Sequence, residues 1–187
     1  MKNIFLLVFI ILTLLSTASF GDEKVIVVPL STTSQRNIGT QILSIPAGAF
    51  QPTNGTILYS NHGYYIKCKS NSPSCTFLTP VYLPNGATVS KLTFSYKDCS
   101  NNDGYISLYR ITRNGTEIQM AHAVSSGGSS SSDGSSGSCK EATASITAID
   151  EPIIDNVNYA YYLWLNLLKD LNDVATQAYS ITIEYTE

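Results

Sequence analysis

The sequence predicts an all-β protein, specifically an antiparallel β-sandwich with a jelly-roll-like arrangement of about nine to eleven strands. Three observations support this prediction. Turn-forming dipeptides recur at short intervals, the segments between them alternate apolar and polar residues, and no long amphipathic helical pattern occurs. Many short strands separated by turn residues are typical of sandwiches and barrels.

The turn signals are Asn-Gly and Asp-Gly dipeptides, which tolerate the positive φ that tight turns need. They occur in "TNGT" (53–56), "PNGA" (84–87), "NNDG" (101–104) and "RNGT" (113–116). Asn54 and Asn114 also begin Asn-x-Thr sequons. The preference of tight turns for Asn-Gly explains both sequons, and no attached glycan is needed to account for them.

Three segments alternate with a period of two and therefore predict strands with one apolar face. In 91–97 the predicted inward side chains are Leu92, Phe94 and Tyr96. In 179–186 they are Tyr179, Ile181, Ile183 and Tyr185, and in 117–124 they are Ile118, Met120, His122 and Val124. Two further segments, 105–111 and 159–167, are apolar on both faces, as expected of central strands.

The first residues predict a secretory signal peptide over 1–21, with Lys2 preceding the apolar run 4–15 and small residues at the cleavage point. Twelve helical residues rise about 18 Å, which is short of a bilayer core of about 30 Å, so we expect no permanent membrane span. Residues 22–44 are predicted to form an N-terminal arm or edge strand, and residues 45–187 the sandwich. A flexible Ser/Gly loop is predicted at 125–138.

The charge balance excludes one class of partner. Charged residues make up 13% of the chain, and the formal charge of -3 becomes -4 when Lys2 leaves with the signal peptide. Such mild acidity gives no electrostatic basis for binding nucleic acid. The predicted signal peptide, in turn, leads us to expect a secreted protein that is extracellular, on the cell surface or periplasmic.

Four cysteines in an exported chain predict two disulfides, and three pairings are possible. We favour Cys68–Cys75, which flank a short turn-rich segment, and Cys99–Cys139. The second bond would fasten the far end of the Ser/Gly loop and so restore the register of the returning strand. Zinc is the less favoured alternative, because no Cys-x₂-Cys pair occurs.

No catalytic residue is predicted. The segment 134–138 fails the Gly-x-Ser-x-Gly pattern at its last position. His62 fits a turn residue and His122 a packed or rim histidine. The acidic residues fit solvated turns better than a catalytic pair; they are Asp150, Glu151, Asp155, Asp170 and Asp173.

No metal or other cofactor is predicted, although calcium stays open as an alternative. Its ligands would be Asp98, Asn101 and Asp103. This segment departs from the calcium-loop pattern, because Cys99 stands where the first ligand should be.

The stretch "NYAYYLWLN" (158–166) is the best functional clue. Alternation places Tyr162, Trp164 and Asn166 on one face of the strand, together with Ala160. If that face is covered, these side chains are core. If it is open, the aromatic rings beside an amide suit flat sugar rings or a protein partner.

Five stretches in one order resemble a loose group of exported bacterial proteins of unknown function. The stretches are "IPAGAFQP" (45–52), "LPNGATVSKLTFSYKD" (83–98), "GYISLYRI" (104–111), "IDNVNYAYYLWLNL" (154–167) and "YSITIEYT" (179–186). The resemblance implies a signal peptide followed by one β-sandwich domain, and it carries no assigned catalytic residues. The cysteines and the Ser/Gly loop look particular to this chain.

Three hypotheses about function follow. The favoured one is a non-catalytic extracellular module with a structural or binding role, whose partner is a second copy of itself or another surface protein. The second is a carbohydrate-binding module or a carbohydrate-active enzyme. The third is a filament or pilus-type subunit that donates the strand "VIVVPL" (25–30) to a neighbour. The donated residues would be Val25, Ile26, Val27 and Val28.

Overall fold

A computed structural model describes residues 39–69, 74–99, 102–126, 139–168 and 176–187. Within these ranges the chain forms eleven strands and one short 3₁₀ turn at Ala47–Ala49. The strands are β1 (Gln41–Pro46), β2 (Gln51–Pro52), β3 (Tyr59–Asn61), β4 (Ile66–Cys68), β5 (Ser74–Val81), β6 (Thr88–Asp98), β7 (Tyr105–Thr112), β8 (Glu117–Val124), β9 (Lys140–Ile146), β10 (Tyr159–Leu168) and β11 (Gln177–Thr186). None of the described residues belongs to a helix that is long and apolar enough to cross a membrane.

The strands form two antiparallel sheets, which confirms the predicted sandwich. Sheet A has the order β3-β4-β11-β6-β9, with β1 also paired to β11, and sheet B has the order β2-β5-β10-β7-β8. The pairs β4–β11, β5–β10, β6–β9 and β7–β8 are nested along the chain and alternate between the sheets. This nesting is the connectivity of a jelly roll.

The core lies between the sheets and is built by period-two alternation. Phe94 and Ile183 from sheet A and Phe77, Leu108 and Leu163 from sheet B are all fully buried in one cluster. The inward face predicted for 91–97 is confirmed, because Leu92, Phe94 and Tyr96 are buried.

A bulge overturns part of the prediction for 179–186. The register of β11 against β6 shifts between Ala178 and Ser180, so that Ala178 is fully buried and Tyr179 is not. The extra residue of a bulge moves the side chains on one side of it to the opposite face. Ile181 and Ile183 point inward as predicted, but the inward placement of Tyr179 is wrong.

A second bulge does the same in β8. Its register against β7 shifts beside Leu108 and Tyr109. Met120 is buried as predicted, but Ala121 and Ala123 then take the inward positions. His122 and Val124 are exposed, so their predicted inward placement is wrong.

Both favoured disulfides are present. Cys68–Cys75 joins β4 of sheet A to β5 of sheet B, and Cys99–Cys139 joins the end of β6 to the start of its neighbour β9. Residues 127–138 of the Ser/Gly loop lie outside the described residues. Residues 1–38 do as well, so the signal peptide and the donated strand remain predictions.

Candidate functional site

The outward face of sheet B carries the predicted aromatic stretch. On β10 the side chains of Tyr161, Leu163, Leu165 and Leu167 are buried between the sheets, whereas those of Tyr162, Trp164 and Asn166 are half-buried on the other side. The strand is therefore core on one face only. These three side chains lie on the face of sheet B that points away from sheet A, and each keeps part of its surface exposed among the described residues.

Strand pairing assembles three rows of side chains on this face. Trp164 lies between Leu78 of β5 and Ser107 of β7, with His122 of β8 next in the row. The neighbouring rows are Pro80, Tyr162, Tyr109 and Gln119 on one side and Thr76, Asn166, Tyr105 and Val124 on the other. At about 4.8 Å between strands and about 6.8 Å between rows, the patch measures about 14 Å in each direction. We call it the sheet B face.

The aromatic rings of the sheet B face hold one another in place. Tyr109 and Tyr162 stack with centroids 5.4 Å apart and an interplanar angle of 12°. Tyr105 and His122 lie tilted against each other at 5.0 Å. Contacts of this kind fix the orientation of the rings before any ligand arrives, so the face is preorganised.

Polar groups between the rings are tied into the same surface. The Ser107 hydroxyl and His122 Nδ1 lie 2.8 Å apart in a hydrogen bond, and the Tyr109 hydroxyl donates to Gln119 Oε1 at 3.2 Å. Asn166 Nδ2 donates to the Tyr105 hydroxyl at 2.8 Å. Asn166 Oδ1, in contrast, has no hydrogen-bond partner among the described residues. A buried acceptor without a partner marks a place where water or a ligand completes the bonding.

The Tyr162 hydroxyl is the most perturbed group on the face. Burial, and then the neighbouring Glu117 carboxylate, raise the pKa of Tyr162 well above its ordinary value. Although Glu117 lies near, the Tyr162 hydroxyl makes no hydrogen bond of ordinary geometry within the described part of the chain. The hydroxyl is therefore neutral at physiological pH.

The twelve residues of the three rows include no Asp, Glu, Lys or Arg. Charged side chains begin beyond the Tyr162 row, where Glu117 pairs with Ile111. A cavity of about 230 Å³ opens at this end, and Ile111, Arg113, Asn158 and Ala160 contribute to its lining. The face itself can thus offer aromatic stacking and neutral hydrogen bonds, but no fixed charge.

Sequence reasoning found the β10 part of this face and missed the rest. Tyr105 and Tyr109 stand four positions apart, with Ser107 between them, which places all three on one face of β7. That spacing could have predicted a shared face, but the interpretation of 105–111 as apolar on both faces did not use it. Gln119 and His122 had no such signal, because the β8 bulge decides where they point.

Two of the acidic residues named as candidates, Glu151 and Asp155, are committed to other contacts. Glu151 forms an ion pair with the buried Arg110. Asn158 Nδ2 donates to Asp155 Oδ2 at 2.6 Å, and this bond, followed by those from the backbone N–H groups of Asn158 and Val157 to Oδ1, lowers the pKa of Asp155. Asp170 and Asp173 lie outside the described residues.

Two of the three possible calcium ligands, Asp98 and Asp103, lie in the described part of the chain. The fully buried Asp98 accepts hydrogen bonds from Ser125 Oγ at 2.6 Å and from Thr176 Oγ1 at 3.0 Å. Burial, and then the charge of Asp98, raise the pKa of Asp103. Asn101 is outside the described residues, and no three His, Cys, Asp or Glu residues inside them come close enough to hold a metal ion.

The sequence matches no protein-family model and no curated protein. Solved structures with a similar fold include the CBM36-1 domain of a multidomain xylanase from the hindgut metagenome of Trinervitermes trinervoides, at 10% identity and a TM-score of 0.45 over 76% of this chain and 96% of that one.

Two further structures are similar. The xylan-binding module CBM15 has 10% identity and a TM-score of 0.45 over 78% of this chain and 97% of that one. The K1 cleaved adhesin domain of Lys-gingipain from Porphyromonas gingivalis W83 has 13% identity and a TM-score of 0.40 over 76% and 97%. At these identities and TM-scores the similarity carries no argument about a ligand, which has to come from the site itself.

Proposed function

We propose that the protein is a non-catalytic, secreted carbohydrate-binding module whose sheet B face binds a neutral glycan. One observation carries the proposal: Tyr105, Tyr109, Tyr162 and Trp164 lie together on the outward face of sheet B, in three rows that contain amide, hydroxyl and imidazole groups but no Asp, Glu, Lys or Arg. The two disulfides suit an oxidising, extracytoplasmic compartment.

The chemistry of a sugar matches this mixture. A pyranose ring has an apolar C–H face that stacks on an aromatic ring and an equatorial rim of hydroxyl groups that donate and accept hydrogen bonds. Trp164 and Tyr162 offer the stacking surface, and Asn166, Gln119 and His122 offer hydrogen-bonding groups at its border. Sites of this kind combine apolar and aromatic area with a few polar groups that fix orientation.

The rigidity of the face also favours binding. Tyr109 and Tyr162 are already stacked, Tyr105 and His122 are already in contact, and His122 is already hydrogen-bonded to Ser107. Less conformational entropy is lost when the binding surface is fixed beforehand. A flat, preorganised surface open along the strands suits an extended polysaccharide chain.

Trp164 is the only tryptophan in the sequence, so its fluorescence reports directly on the sheet B face. We expect titration with xylohexaose, cellohexaose or mannohexaose to change the emission of Trp164 for at least one of the three sugars. Affinity electrophoresis through gels that contain xylan, β-glucan or mannan should show retardation by the same polysaccharide.

Because Trp164→Ala removes the fluorescent reporter, its binding is measured by calorimetry, and the affinity of the sheet B face should fall at least about tenfold, which equals about 1.4 kcal/mol. Thr182→Ala is the matched control, because Thr182 occupies an outward position on the central strand of the other sheet. Binding that survives Trp164→Ala unchanged, or a lack of response to every glycan, would contradict the proposal.

The favoured expectation of a structural role in a surface assembly stays a prediction. The donation of residues 25–30 to a neighbour also stays a prediction, because these residues lie outside the described ranges. Deleting residues 25–30 from the mature chain and observing secreted material by electron microscopy tests them. Filaments that disappear with the deletion would support strand donation. The resemblance to exported bacterial proteins likewise stays a prediction.

A further inference from the structure

A second group of aromatic side chains lies on the opposite side of the sandwich, on the outward face of sheet A. It consists of Tyr64 and Tyr65 from the β3–β4 hairpin, Tyr179 from the bulge of β11, and His62. We call this group the hairpin cluster. None of its residues belongs to the sheet B face.

The bulge and the hairpin together build the cluster. Ala178 pairs with Ile66, and both are fully buried, so the next residues, Tyr179 and Tyr65, turn to the outward side. Their rings meet edge to face, with centroids 6.4 Å apart and an interplanar angle of 85°. An inward aromatic residue was expected at Tyr179, and the bulge has placed it on the surface instead.

The hairpin holds the exposed rings in fixed positions. His62 stacks on Tyr65 at 4.4 Å, and Tyr64 meets Tyr65 edge to face at 4.8 Å while remaining 70% exposed. Gly63 permits the tight turn with a φ of 81°, and its N–H donates to Asn61 Oδ1 at 2.8 Å. Tyr64 is thus an exposed ring held in position by a neighbouring ring, as Tyr109 is on the sheet B face.

Hydrogen-bonding groups border these rings too. The Tyr179 hydroxyl reaches across β6 and donates to Glu141 Oε1 at 3.3 Å. Burial, and then the charge of Glu141, raise the pKa of Tyr179, so its hydroxyl keeps its proton. Lys97 lies 3.7 Å from the same carboxylate, and the Glu141 side chain is 67% exposed. An exposed carboxylate such as that of Glu141 has further acceptor capacity for a ligand hydroxyl.

We propose that the hairpin cluster is a second glycan-binding patch, so that one domain holds two polysaccharide chains, one on each side. This inference rests on the proposed function of the sheet B face. Because the two patches lie on opposite outward faces, one chain of glycan cannot cover both at once without wrapping around the domain. The protein would therefore cross-link polysaccharide, and its two patches would raise its retention on an insoluble glycan by multivalency.

Titration calorimetry on the mature chain tests the proposal. The ligand is the six-sugar oligosaccharide that changes the fluorescence emission of Trp164. We expect two ligands per chain for the unaltered protein, one for Trp164→Ala and one for Tyr64→Ala. The double variant should bind none. Tyr64 is exposed, so Tyr64→Ala should leave the thermal unfolding midpoint almost unchanged, which separates lost binding from lost folding.

A second readout tests cross-linking. The unaltered protein should make a solution of the matching soluble polysaccharide turbid, and either single variant should abolish that turbidity while still migrating slowly in the affinity gel. Tyr179→Phe, which keeps the ring and removes the hydroxyl, should weaken the second patch by a few-fold and leave the first unchanged.

The two proposals fail in different ways. One ligand per chain in the unaltered protein, with all binding lost in Trp164→Ala, would overturn the second patch and leave the proposed function standing. No response of the unaltered protein to any of the three oligosaccharides or their polysaccharides would overturn the proposed function itself.

Discussion

The outward faces of the two sheets use the same alternation for different purposes. In the middle of sheet A the outward side chains are small or oppositely charged and bond to each other: Thr93 to Ser145 at 2.9 Å and Lys91 to Glu184 at 3.0 Å. In the middle of sheet B they are tyrosines and a tryptophan open to solvent on one side.

This difference teaches that outward aromatic residues are not a requirement of the fold. In its middle, sheet A covers its outer side with Thr, Ser, Lys and Glu, and its inner side is well packed, with Phe94, Ile181 and Ile183 fully buried. Half-exposed rings in the middle of sheet B give up part of the stabilisation that full burial would provide. The aromatic residues there are better explained by a ligand than by stability.

The largest expected effect concerns the edge of sheet A. Replacing Cys99 and Cys139 by Ser opens a bond between residues 40 positions apart, which should lower the free energy of unfolding by about 4 kcal/mol. Denaturant unfolding measures this loss. The Cys68–Cys75 bond spans only 7 positions and should cost about 2 kcal/mol by the same chain-entropy relation.

If the two sheets act independently, the folded Cys99→Ser/Cys139→Ser protein should keep its full affinity for glycan at the sheet B face. A loss of glycan binding that parallels the loss of stability would instead show that the two sheets do not act independently.

Neighbouring residues on β10 provide the next test. Leu163 is fully buried and Trp164 half-buried on the other side. Leu163→Ala should lower the free energy of unfolding by about 3 kcal/mol, because it leaves a cavity in the core. Trp164→Ala should lower it by only about 1 kcal/mol while causing the greater loss of glycan binding. Equal stability losses in the two variants would place Trp164 in the core.

A third prediction uses alkaline pH. The folded-state pKa of Tyr162 is raised above its ordinary value of 10.0, so the folded protein favours the neutral hydroxyl. Its contribution to stability is complete below pH 10 and is lost as the pH rises toward the folded-state pKa. Tyr162→Phe should therefore make the alkaline decline of unfolding free energy shallower.

The matched control is Tyr82→Phe, which removes the hydroxyl of a tyrosine that is 83% exposed. Denaturant unfolding at a series of pH values above 9 gives the comparison. An alkaline decline that is equally shallow in both variants would refute the assignment to Tyr162.

The smallest effect belongs to the ion pair of Lys91 and Glu184, whose side chains are 35% and 30% exposed. Glu184→Gln should lower the free energy of unfolding by less than about 1 kcal/mol, and added salt should reduce the difference further. Unfolding curves at low and high ionic strength check it. A larger loss would show that the outward face of sheet A stabilises the sandwich more than its exposure suggests.

Much of the fold is readable from the sequence because inward and outward side chains must alternate along a strand that is buried on one face. Leu92, Phe94 and Tyr96 point inward for this reason, and Tyr162, Trp164 and Asn166 share the opposite face of β10 for the same reason. The two favoured cysteine pairings also follow from sequence separation and turn content.

Other features depend on pairs of strands that are distant along the chain. Tyr109 reaches Tyr162 only because β7 pairs with β10, some fifty residues later, and alternation within one strand says nothing about that partner.

The sequence alone determined which residues alternate, that the protein is a sandwich of strands, and that an aromatic face is available on β10. The tertiary structure decided that this face points away from sheet A, which strands flank it, and where the alternation breaks. At Tyr179 and His122 a single extra residue in a bulge reverses the face. Bulges arise from the fit between paired strands, so a pattern read along one strand cannot contain them.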